Sequence, residues 1–163
     1  MSESKQKVIE LFKDKIQRLS HLYVIQDEKG KVVQFKPKPT QLRFLQEMHE
    51  RNIILKARQL GFSTLIDLWI LDETLFRSNT QCAILAQTRD DVQEIFEKKI
   101  KFPWDNLGSD LKSKFEEKSK SANKLAFNNG SSIRVATSVR SSTLQALLTF
   151  ALGYVAGEYN GRS

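Results

Sequence analysis

Short apolar runs alternate with stretches of helical periodicity, and this alternation limits the fold more than any other feature of the chain. Asn52-Ile53-Ile54-Leu55 is a compact apolar run, followed by a loop and then by a segment carrying Leu65, Ile66, Leu68, Trp69, Ile70 and Leu71 at helical spacing. Cys82 to Ala86 is a second apolar run, and a helical pattern around Val92, Ile95, Phe96 and Ile100 follows it. Strand, loop, helix, strand, helix is the order that builds parallel strands through helical crossovers. It predicts an α/β fold with a mainly parallel sheet and flanking helices.

The flanks add local elements. Val8 through Leu19 places apolar residues at helical spacing, with Lys13, Lys15 and Arg18 on the polar face. Leu22-Tyr23-Val24-Ile25 and Val32-Val33-Gln34-Phe35 bracket Asp27-Glu28-Lys29-Gly30, the pattern of a hairpin. Pro37 and Pro39 end that strand, and Thr40 is placed to cap a helix through Leu42, Phe44, Leu45 and Met48. Residues 103–123 read as a polar loop with a weak helix. Lys124 to Phe127 and Ser132 to Val135 form a second hairpin, for which Asn128-Asn129-Gly130 suggests a type I′ turn. Leu144 to Val155 reads as a further buried strand.

Composition narrows the function classes. The chain has 163 residues, suited to one ordinary domain, with 26 Lys and Arg against 19 Asp and Glu, a formal charge of +7. A polyanionic partner is compatible with that excess, as is a solvated basic face. A single Cys, Cys82, excludes a disulfide framework or a Cys-rich zinc site. His21 and His49 lack metal-ligand spacing. The apolar stretch from Ala146 to Ala156 is shorter than the roughly 20 residues a spanning helix needs, and the N-terminus opens without an apolar signal core. A soluble protein of a reducing compartment is expected.

The loop after the first apolar run, Leu55-Lys56-Ala57-Arg58-Gln59-Leu60-Gly61-Phe62-Ser63-Thr64, lies where backbone N–H groups of a loop and helix start can face a phosphate. Against the pattern Gly-x-x-x-x-Gly-Lys-Ser/Thr, Gly61 and Ser63 keep the second Gly and the hydroxyl. Lys56 takes the first Gly position and Phe62 the Lys position, while Arg58 supplies a cation nearby. The alternative is an ordinary helix start capped by Ser63 or Thr64. Thr88 and Asp91 have the spacing of a capping box.

Residues 57–64 resemble the deviant Walker A loop of phage terminase large subunits. Phe35-Lys36-Pro37-Lys38-Pro39-Thr40-Gln41 resembles that family's adenine-binding segment, and Ala83 to Arg89 its strand-to-loop segment after the Walker A helix. Asn128 to Ile133 and Ser138 to Gln145 resemble the hairpin and loop preceding Walker B. The resemblance covers roughly residues 22–147. It implies a P-loop ATPase domain over 22–155, after an N-terminal amphipathic helix over 1–21 and before a short tail over 156–163. It implies ATP and Mg²⁺ as cofactors, with Gln41 on the adenine and Arg58, Gln59, Gly61, Phe62, Ser63 and Thr64 at the phosphates. Ser63 would also ligate Mg²⁺, and Arg58 and Arg140 would act in catalysis.

By the same resemblance, the partners are double-stranded DNA, a portal, a small terminase subunit and further copies in a motor ring, in the host cytoplasm and without a membrane. The pattern breaks where Walker B should end in a carboxylate: Ala151 stands there, and the only acidic residue after Glu117 is Glu158. The family's nuclease domain is expected to be absent. The expectation is therefore a truncated or degenerate terminase ATPase domain that binds ATP but hydrolyses it weakly or not at all, and that is marginally stable on its own. The other reading is a non-enzymatic basic α/β module that binds nucleic acid or a packaging partner.

Overall fold

The computed structural model describes residues 12–54 and 61–137. They form a mixed α/β arrangement around one central helix. Within the described residues come first α1 (Lys15–Leu22), then the hairpin β1 (Val24–Gln26) and β2 (Val32–Gln34), and then α2 (Pro39–Gln46). The central helix is α3 (Phe62–Phe76), followed by β3 (Gln81–Leu85). Next come α4 (Arg89–Glu94), a π-helical stretch (Ile95–Lys101), α5 (Phe102–Asp105) and α6 (Ser109–Lys112). Three strands close the described region: β4 (Glu117–Ser121), β5 (Lys124–Phe127) and β6 (Ser132–Ala136).

The main sheet runs β3-β6-β5-β4. Only β3–β6 is parallel, and β6–β5 and β5–β4 are antiparallel. The mainly parallel sheet expected from the sequence is thus a mixed sheet among the described residues. The register explains its two faces, since side chains alternate along each strand. Ile84, Ile133, Val135, Leu125 and Phe127 are buried on one face. On the other, Ala83, Arg134, Lys124 and Ser121 fall in one row.

Helix α3 is apolar nearly all round, as a helix covered on several sides must be. Leu65, Leu68 and Leu71 have no exposed surface. Helix α1 docks on it through charge. Arg18 donates from Nε and Nη2 to Asp72 (2.7 Å for the shorter Nη2 bond), and Tyr23 donates its hydroxyl to the same carboxylate at 3.0 Å. Lys15 pairs with Glu73 and lies over the Trp69 ring. Burial lowers the Lys15 pKa to about 8, against the pull of Glu73.

Several local expectations are corrected by the geometry. Asn52–Ile54 is not a strand: Ile53 is 90% exposed, and the Asn52 side chain bonds the His49 backbone N–H and carbonyl, fixing a turn instead. Pairing explains this. A strand needs a neighbour to take its backbone groups, and the sheet places β3, β6, β5 and β4 side by side without it. Residues 103–123 hold two short helices and β4, whose polar sequence Glu-Lys-Ser-Lys-Ser carries no apolar alternation and is ordered by pairing with β5.

The second hairpin forms where expected, but its turn is not type I′. That turn needs positive φ at both central residues, whereas here Gly130 alone in the turn has it, at +79°. Gly130 N–H bonds the Phe127 carbonyl and Phe127 N–H bonds the Ser131 carbonyl, a type I turn closed by a glycine bulge. Thr88 and Asp91 form the expected capping box: the Thr88 hydroxyl accepts from Asp91 N–H, and the Asp91 carboxylate accepts from Thr88 N–H. Leu144 to Val155 lies outside the described residues.

Candidate functional site

The site begins with how α3 starts. Gly61 is its N-cap, with φ +71°, a left-handed conformation that glycine adopts without penalty. Phe62, Ser63 and Thr64 are therefore the first three helical residues, and neither Ser63 nor Thr64 is the cap. A backbone that turns through glycine into a helix puts the first-turn N–H groups and the positive dipole end at the loop. Ser63 and Thr64 are partly buried in that turn.

Helix α2 is built to meet this point. Pro39 occupies its first turn, where a missing N–H costs nothing. The cap is Lys38 rather than the expected Thr40. The Gln41 side chain turns back, its Oε1 accepting from Lys38 N–H at 2.8 Å. The other end of the same amide lies against Gly61: a Cβ there would sit 3.1 Å from Gln41 Nε2. Gln41 is 2% exposed, so its amide is packed between the start of α2 and the start of α3. Aromatic packing adds to this contact, with Phe44 and Phe62 edge to face at 5.7 Å.

The Phe62 side chain is therefore buried, and only its backbone N–H is available to a ligand at the place where the ordinary motif puts a Lys. Of the residues expected at a nucleotide, Gln41 (on the adenine) and Gly61, Phe62, Ser63 and Thr64 (at the phosphates) are gathered at the α2–α3 junction. Arg58, Gln59 and Arg140 lie outside the described residues, as does Ala151.

One group in the same helix was not anticipated. Asp67 follows Ser63 by one turn, and its side chain is 6% exposed. Lys99 of the π-helical stretch approaches at 3.8 Å. Burial dominates over that cation and pushes the Asp67 carboxyl up to about 7. The sequence signal was present, as an acidic residue within an otherwise apolar helical pattern, but its partner 32 positions away was not visible.

The first turn of α3 suits phosphate oxygens, because its donors are backbone N–H groups and a serine hydroxyl. For a chain-held Mg²⁺ the fit stops at one hydroxyl. Among the described residues no group of three or more His, Cys, Asp or Glu side chains gathers, and the Asp67 carboxylate is already turned toward Lys99. Among the same residues no helix is long and apolar enough to cross a membrane.

No protein-family model matches the chain, and no curated protein matches it.

Proposed function

We propose that the chain is a partial terminase-type ATPase domain of a phage DNA-packaging motor, built on a P-loop-related sheet, that binds ATP and turns it over weakly or not at all. The observation that carries this reading is the contact of Gln41 with Gly61. The adenine-segment glutamine and the loop glycine, 20 positions apart, occupy one junction. A glutamine amide there can report occupancy of a base site to the loop that holds the phosphates.

In this reading Gln41 meets the adenine, while backbone N–H groups of Phe62, Ser63 and Thr64 take phosphate oxygens. Arg58 and Arg140 supply positive charge to the same oxygens. Mg²⁺ would enter on the nucleotide, with Ser63 as its ligand from the chain, neutralising phosphate charge. Weak hydrolysis follows from Ala151, which offers neither a metal ligand nor a base where the family carries a carboxylate. The partners in this reading are double-stranded DNA, portal, small subunit and neighbouring copies.

Mg²⁺-dependent binding of a fluorescent ATP analogue tests it. Binding should weaken by tenfold or more in both Arg58→Ala and Ser63→Ala, because each loses a charged or polar phosphate contact. A folded wild type that binds no nucleotide would overturn it.

A second reading is favoured by one observation. Asn52–Ile54, just ahead of residues 55–60, is not a strand, whereas a P-loop follows directly on a strand of the sheet. This reading is a basic α/β module that contacts nucleic acid without nucleotide chemistry. Salt-sensitive oligonucleotide binding, indifferent to ATP and to Arg58→Ala beyond a small electrostatic loss, is its signature.

A further inference from the structure

We propose that the cleft between α1, β2 and the start of α2 is a binding site for single-stranded nucleic acid, its phosphates running along Lys36 and Lys38 and one base entering the cleft. This deepens the second reading and rests on its claim that the basic surface contacts nucleic acid. It is independent of whether ATP binds at the α2–α3 junction.

From β2 onward the chain alternates, with Gln34, Lys36 and Lys38 exposed while Phe35 is buried and Pro37 partly so. Lys36 and Lys38 thus both lie on the solvent side of this segment. Neither lysine, nor Lys29 and Lys31 at the hairpin end, makes an ion pair among the described residues. Lys15, Arg18, Arg43, Lys98, Lys99, Lys101 and Lys112, by contrast, each face a carboxylate. The hairpin's own acids, Asp27 and Glu28, balance Lys29 and Lys31, so the excess positive charge of this segment is that of Lys36 and Lys38. Asp27 accepts from the backbone N–H groups of Lys29 and Lys31, and Glu28 lies at the turn.

The cleft beside these lysines is open to solvent, with a volume of about 410 Å³, and is lined by Ser20, His21, Gln34, Lys36, Pro37 and Leu42, with no carboxylate among them. That volume is in the range of small-ligand clefts. Gln34 Nε2 donates to the Ser20 and Tyr23 carbonyls, which fixes the amide and leaves Oε1 as its acceptor. His21 Nδ1 donates to the Gln17 carbonyl, so neutral His21 keeps Nε2 as an acceptor. Acceptors suit the N–H edge of an unpaired base, and Pro37 and Leu42 suit its face. A duplex keeps its bases stacked and would use only the lysines, so the cleft selects a single strand.

Fluorescence anisotropy with a labelled oligodeoxycytidylate, an abasic strand of equal length and a duplex tests this on the full chain. The oligodeoxycytidylate should bind at least several-fold more tightly than either of the others. Lys36→Ala/Lys38→Ala should weaken it tenfold or more at low salt and lower the log–log salt slope by about 1.4, roughly 0.7 per phosphate contact. Gln34→Ala and, should that variant fold poorly, the exposed His21→Ala should close the gap between base-bearing and abasic strands. Lys124→Ala/Arg134→Ala removes the same charge from the main sheet and should have the smaller effect. Equal losses in the two double variants, or a duplex bound as tightly as the single strand, would overturn the cleft while leaving the second reading intact. A folded chain that binds none of the three would overturn both.

Discussion

Asp67 is an acid held on the wrong side of its ordinary balance. Burial disfavours its charge, and Lys99 offsets only part of that, so its carboxyl titrates near 7 rather than at 3.8. Between those values the folded chain holds more protons than the unfolded one, so stability falls as pH rises through that window. Above about pH 7 the full cost is present. Asp67→Asn removes it, and Lys99, with 30% of its side chain exposed, can be hydrated once alone. The variant should be more stable than wild type by about 2–4 kcal/mol at pH 8 and no more stable at pH 4. Urea melts at both pH values measure this, and a variant less stable at pH 8 would refute it.

Helix α3 is held at its sides and its C-terminus by residues far away in sequence. Arg18 and Tyr23 surround Asp72, and removing the cation strands a carboxylate with no exposed surface. Arg18→Met should cost about 3–5 kcal/mol in chemical denaturation, and adding Asp72→Leu should recover much of it. At the C-terminus Asn129 donates to the Thr74 and Leu75 carbonyls, groups no residue of α3 can satisfy. Asn129→Ala should cost about 1–2 kcal/mol in the same measurement. The neighbouring turn is fitted just as closely: a Cβ on Gly130 would meet Asn79 Oδ1 at 2.3 Å.

These ties separate what the sequence disclosed from what it could not. Helix α3, the strand at Cys82, both hairpins and the Thr88–Asp91 cap rest on local periodicity, turn residues or short spacing, and all were legible. Strand β4 was not, because a polar strand ordered by its neighbour leaves no apolar pattern. Asn52–Ile54 failed for the converse reason, since an apolar run becomes a strand only beside a partner. Gln41 and Gly61 were each singled out by motif, yet their contact depends on Pro39 and Lys38 setting where α2 begins.

For the whole molecule, a central helix between a mixed sheet and an N-terminal hairpin unit brings two motif segments to one junction. If that junction is a nucleotide site, the Gln41 amide should make it prefer adenine. Competition of ATP and GTP against a fluorescent ATP analogue, in wild type and in Gln41→Ala with folding checked by circular dichroism, tests this most directly. ATP should compete at least tenfold better than GTP in wild type, and a folded Gln41→Ala should lose the preference. Equal competition by the two nucleotides in wild type, or a preference unchanged in Gln41→Ala, would contradict it.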